Sequence, residues 1–160
     1  MKQSRDLGFS LLELMIVVLV MALVLGVTYP SLSRGSSAIH LRATARDILS
    51  TFRYAREKAV TEQTAMRVTV SREKQELILS DDFGDGSRKY ALPQDVQIEK
   101  VMLAETEVPE GPVIIRFLPN GSAENAQLLL KSNKGSYLRI STDPITGGAR
   151  VEPGAGENLQ

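Results

Sequence analysis

The chain has no cysteine, so no disulfide holds it and no thiolate serves it as nucleophile or metal ligand. It has a single histidine, His40, with no second histidine to complete a metal site and no serine or cysteine motif to serve; a structural role is the expectation there. It has no net charge: 19 basic residues balance 19 acidic ones, so no global field draws it to nucleic acid or to anionic lipid. The sequence contains no glycine-rich phosphate loop, no cluster of metal ligands and no nucleophile elbow. These gaps leave little to an enzyme, and no cofactor is expected.

The sequence does contain a long apolar run. From Phe9 to Tyr29 the only charged residue is Glu13, and the other breaks in apolar character are Ser10, Gly26 and Thr28. As a helix rising about 1.5 Å per residue, such a run can cross the roughly 30 Å of a bilayer's hydrocarbon. Lys2 and Arg5 precede it, which favours a cytoplasmic N-terminus with the remainder on the far side. A secretory signal peptide would have a shorter apolar region and a small-residue cleavage site, and Tyr29-Pro30-Ser31-Leu32 matches that poorly. An uncleaved anchor would give Glu13 no role. A carboxylate near the edge of a membrane helix costs about 1–3 kcal/mol unless paired. Cutting between Gly8 and Phe9 would supply the partner, because the new ammonium lies four residues before Glu13 and on its helix face.

The leader Met1–Gly8 followed by Phe9, Leu11, Leu12, Glu13 and the apolar helix resembles the class III signal of type IV prepilins. That resemblance implies cleavage after Gly8 by prepilin peptidase, methylation of Phe9, and a role for Glu13 in subunit assembly. Pro30 falls where such helices carry a proline. Its ring presses on the carbonyl of Gly26, so Gly26 to Pro30 is a candidate kink, with a gentle bend as the alternative.

Four segments are expected: a leader over 1–8, a transmembrane or filament-core helix over 9–29, an amphipathic helix over 30–62, and a periplasmic β domain over 63–160 with a mobile tail. Leu41, Ala45, Ile48, Leu49, Phe52, Ala55 and Ala59 recur at helical spacing, while Arg42, Arg46, Arg53, Glu57 and Lys58 lie mostly off that face. After Thr64 the period becomes that of strands. Eight are expected: 65–70, 75–80, 87–92, 96–101, 113–118, 126–131, 137–141 and 149–152, separated by glycine, proline, asparagine and aspartate. The fold class is therefore α+β, a long helix followed by an antiparallel β domain of two small sheets.

Two other features have ordinary explanations beside functional ones. Asp81, Asp82 and Asp85 form an acidic turn that is a weak calcium candidate, off the EF-hand spacing; a solvated hairpin tip is the alternative. Asn120-Gly121-Ser122 has the form of a glycosylation sequon, which turn chemistry also explains.

The stretch around Leu49, Arg53, Ala55, Arg56 and Ala59, the strand Met66–Val70, the run Phe117-Leu118-Pro119-Asn120-Gly121-Ser122-Ala123 and the segment Thr142–Val151 together resemble the GspH/FimT family of minor pseudopilins. This implies a minor pseudopilin of a type II secretion system in the bacterial inner membrane, near the pseudopilus tip with the I, J and K subunits and the major G subunit, supporting export of folded proteins. The alternative is a FimT-like minor pilin for pilus assembly or DNA uptake. DNA-binding relatives carry Gly-Arg-x-Arg near the C-terminus. Here Gly147-Gly148-Ala149-Arg150 lacks the first arginine and Glu152 and Glu157 follow, so nucleic acid is not an expected partner.

Overall fold

The computed structural model describes the backbone of residues 10–84 and 86–154, with the side chains of that range other than 26–36. Helix α1 spans Leu11–Glu62. Residues up to Ser36 and residues from Ser37 onward form two compact units.

In the second unit, Leu41, Ala45, Ile48, Phe52, Ala55 and Ala59 are all buried, so the expected apolar stripe is the buried face of α1. Spacings of three and four put these residues on one side of a helix with 3.6 residues per turn, while Arg42, Arg46 and Arg53 remain exposed. Phe52 is fully buried and meets Phe117 with ring centroids 5.6 Å apart. Truncating such a ring to alanine costs about 3–5 kcal/mol. The helix stops where Gln63 turns to φ 54°, its amide donating to the Val60 carbonyl at 2.7 Å.

Nine strands follow: β1 (Met66–Ser71), β2 (Glu76–Asp81), β3 (Arg88–Ala91), β4 (Val96–Leu103), β5 (Thr106–Glu107), β6 (Pro112–Phe117), β7 (Ala126–Ser132), β8 (Tyr137–Thr142) and β9 (Ala149–Pro153). Eight lie where the alternating pattern put them. The ninth, β5, went unread because two exposed residues carry no alternation; it pairs with the end of β4 through a turn in which Ala104 and Glu105 both have positive φ.

One sheet has the order β3-β2-β1-β6, the other β5-β4-β7-β8-β9, and every pairing is antiparallel. The Asn120-Gly121 turn joins β6 to β7 in different sheets, instead of closing a hairpin between neighbours. Alternating residues of both sheets and the α1 stripe form a single apolar core. A polar tie also joins the sheets. Gln75, at φ 50° before β2, accepts a hydrogen bond from the Ile98 N–H on Oε1 at 2.7 Å, and Ile98 lies at the register shift in β4. The Gln75 amide group donates to the Arg72 carbonyl at 2.6 Å.

Candidate functional site

Glu13 lies in the first turn of α1. The Ser10 Oγ accepts a hydrogen bond from the Glu13 N–H at 3.1 Å, which makes Ser10 the N-cap of the helix. Serine three residues before glutamate is the capping-box spacing, and it places the Glu13 carboxylate at the positive end of the helix dipole. The sequence reading counts Ser10 only as a break in the apolar run; the Ser10-Leu11-Leu12-Glu13 spacing is the signal that names its task. Beyond the cap, every large apolar side chain from Leu11 to Leu25 is 46–81% exposed. Among the described residues no helix is long and apolar enough to cross a membrane. The described side chains of the apolar run stop at Leu25, short of the roughly 20 residues a span takes. Gly8 and Phe9 lie outside the described residues, as do the side chains of Gly26 and Pro30, although helical backbone runs through both of the latter.

The acidic turn follows β2. Asp82 Oδ1 accepts from the Arg67 Nε at 2.7 Å, and the Arg67 Nη2 also donates to the Asp82 carbonyl. Asp81 Oδ1 accepts from the Phe83 N–H at 3.1 Å. Asp85 lies outside the described residues. Among the described residues no group of three or more histidine, cysteine, aspartate or glutamate side chains is placed to hold a metal ion. His40 Nδ1 lies 2.8 Å from Asp95 Oδ2, and the nearby Ser37 Oγ donates to the Asn133 Oδ1 at 3.0 Å. These contacts tie the start of the packed helix to the turns before β4 and after β7.

The sequence segments that carry the family resemblance converge at the other end of that helix. Arg56 donates from Nε to the Gly121 carbonyl at 3.1 Å. Gly147 lies beside both groups: a Cβ there would meet the Gly121 oxygen at 2.2 Å and the Arg56 Cδ at 3.1 Å. Three distant stretches thus meet in one packed junction. The turn that contains Gly147 is tied internally. Asp143 Oδ1 accepts from the N–H groups of Ile145 and Thr146, each at 2.9 Å, and the Gly147 N–H donates to the Asp143 carbonyl at 2.8 Å. The Thr146 and Ile145 N–H groups favour the ionised carboxylate and hold the Asp143 carboxyl below its ordinary range. Just before it, Thr142 Oγ1 accepts from the Ala126 N–H at 2.8 Å and donates to the Glu124 carbonyl at 2.6 Å. Asn120 Oδ1 is engaged in its own turn, accepting from the Ser122 N–H and hydroxyl.

Residues 44–147, well over half of the chain and enclosing this junction, match the family described as type II transport protein GspH. The chain belongs to the GspH family. Residues 3–29 of this GspH-family chain match the prokaryotic N-terminal methylation motif, a second match separate from that of the domain. Two solved structures of the minor pseudopilin EpsH from the type II secretion system of Vibrio cholerae, one of them a crystal structure, have the same fold. One is 14% identical with a TM-score of 0.59, over 74% of this chain and 97% of that one. The other is 12% identical with a TM-score of 0.56, over 71% and 97%. No curated protein sequence matches the chain. By family the chain is a type II transport protein of the GspH type. Arg150 of this GspH-family chain directs its Nε to the Glu152 Oε1 at 2.9 Å.

Proposed function

We propose that this chain is a minor pseudopilin made as a precursor. Prepilin peptidase cuts it between Gly8 and Phe9 and methylates the new N-terminus. Residues 9–29 hold it in the inner membrane with the N-terminus cytoplasmic, and later in the filament core. The domain after them projects into the periplasm. There the subunit joins the I, J and K pseudopilins, and the G-type filament below them, to support export of folded proteins.

The observation that carries this reading is Glu13 on a capped first helical turn, surrounded by exposed apolar side chains. Hydrolysis of the Gly8–Phe9 bond leaves a carboxylate on the leader and an ammonium on Phe9, and N-methylation keeps that positive charge. The ammonium on Phe9 would stand just before the Ser10 cap, near the first helical turn that carries Glu13. At about 4 Å and an effective dielectric near 20 their gross attraction is about 4 kcal/mol, more than the roughly 1–3 kcal/mol that an unpaired acid at the edge of the hydrocarbon costs. The Ser10 cap keeps the turn that carries Glu13 helical. The same ammonium can be met by Glu13 of a neighbouring helix when subunits gather.

Mass spectrometry of the protein from its native host tests the reading. A chain that begins at a methylated Phe9, and an uncut precursor for Gly8→Val, are expected. A mature protein that still begins at Met1 sinks the cleavage. Glu13→Val should be cut and remain in the membrane yet co-purify poorly with the other pseudopilins; undiminished co-purification removes the proposed role of the acid. Duplex DNA binding with a steep salt dependence would replace this reading with that of a DNA-uptake pilin.

A further inference from the structure

The strands of the β domain neutralise their own cations. Every strand that carries a basic residue, β8 aside, pairs one with a carboxylate: Arg67 with Asp82, Lys89 with Glu76, Lys100 with Glu107, Arg116 with Glu124, Lys131 with Glu99 and Arg150 with Glu152, at 2.5–3.8 Å. The packed part of α1 does this only in part. Arg56 is held by the Gly121 carbonyl, and Lys58 meets Glu62 at 3.6 Å. Arg42, Arg46 and Arg53 are exposed, and among the described residues none of the three contacts a carboxylate.

Their spacing puts them in one row. Steps of four and seven residues bring a helix almost back to the same side, so the three side chains leave α1 within about 40° of one another, along about 16 Å of its length. Glu57, one turn beyond Arg53 and also exposed, ends the row. In chain order the row reads plus, plus, plus, minus. Asp47 lies about 100° round from Arg46, on the flank where the cavity beside Tyr90 and Leu92 opens, and contacts none of the three. Like charges four residues apart, as at Arg42 and Arg46, weaken an isolated helix. A neighbour that supplies carboxylates removes that penalty.

We propose that this row is the docking face for a parallel helix of a second protein, whose own row reads minus, minus, minus, plus. Glu57 disfavours a uniform anion: a phosphate backbone or an anionic lipid surface puts negative charge opposite every position, Glu57 included. A second copy of the chain does not supply the match. The acids that α1 carries beyond Ser37 are Asp47, Glu57 and Glu62, and steps of ten and five residues set them on three different faces. The inference rests on the reading of this chain as a filament subunit, and adds the chemistry of the neighbouring helix.

The probe is a soluble helical peptide with glutamate at i, i+4 and i+11 and lysine at i+15. It is titrated at low salt into the full chain in uncharged detergent micelles, and binding is read from the peptide's own resonances. The Nε–Hε signals of Arg42, Arg46 and Arg53 should all move. Arg42→Glu, Arg46→Glu and Arg53→Glu together should weaken binding at least about tenfold, because opposed like charges cost more than a lost pair. Exchanging the peptide's lysine with its middle glutamate keeps the composition and should weaken binding about fivefold. Glu57→Lys should turn the preference toward an all-glutamate peptide. In the native host the triple variant should still begin at a methylated Phe9 yet co-purify poorly with the other pseudopilins. A permuted peptide that binds equally well would overturn the proposal. So would duplex DNA or an all-glutamate peptide that the unaltered chain binds more tightly, or a triple variant that co-purifies undiminished. Failure of the processing reading shows separately, as a chain that begins at Met1.

Discussion

Replacing Gly147 by alanine isolates the junction on which the end of α1 and two distant turns depend. Two costs apply. The backbone there has φ +62°, where a Cβ costs about 1–2 kcal/mol. The added Cβ would also sit 2.2 Å from the Gly121 carbonyl oxygen, a backbone atom that moves only with its whole turn. Displacing that turn stretches the Arg56 Nε bond to Gly121, and a hydrogen bond to a charged group contributes about 1.5–3 kcal/mol. The sum is about 3–5 kcal/mol, a fall in thermal midpoint on the order of 10 °C for a domain of this size. Gly135 is the control. Its φ is +79° but a Cβ there meets nothing within 4 Å, so Gly135→Ala carries the backbone cost alone, about 1–2 kcal/mol. Urea unfolding in mild detergent, followed by the emission of Tyr54, Tyr90 and Tyr137, measures both variants. A second comparison separates the two neighbours of Gly147. The 2.2 Å contact is with backbone and the Arg56 Cδ is 3.1 Å away, so adding Arg56→Ala should not rescue Gly147→Ala. Equal losses at positions 147 and 135, within about 0.5 kcal/mol, would refute the argument, because the left-handed backbone would then be the whole effect.

Ser10→Ala should remove about 1 kcal/mol from the start of α1, seen as faster amide exchange over Leu12–Leu14 with the β domain unchanged. Gln75→Ala leaves the Ile98 N–H without its acceptor between the sheets and should cost about 1–3 kcal/mol in urea unfolding. Asp143 has a folded-state pKa depressed below the ordinary 3.8 by the Thr146 and Ile145 N–H groups. Its contribution is therefore present above that ordinary value and lost as pH falls through the folded one, so the melting midpoint should drop on acidification below about pH 4. In Asp143→Asn that part of the pH dependence should vanish.

Local pattern accounts for much of this protein. The stripe from Leu41 to Ala59 determined which face of α1 is buried, because helical spacing leaves one side for it. Alternation determined eight strands within a residue or two at most ends, and the N-terminal stretch suffices for a match to the methylation motif over residues 3–29. Strand β5 was illegible since two exposed residues show no period. The Ser10 cap was legible, for its spacing with Glu13 is a local signal.

Tertiary structure alone decided the rest. Strands of both sheets alternate alike, so nothing in their period says that β6 leaves β5 to pair with β1, or that Asn120-Gly121 leads from one sheet to the other. The partners in the junction are 65 residues apart for Arg56 and Gly121, and Gly147 closes on them only when both turns pack against the helix end. Nor could sequence tell how the sheet edges are treated. That depends on where the hydrogen bonds of β2 are used and where the Glu124 side chain lies, and both are consequences of chain segments brought side by side by the shared core.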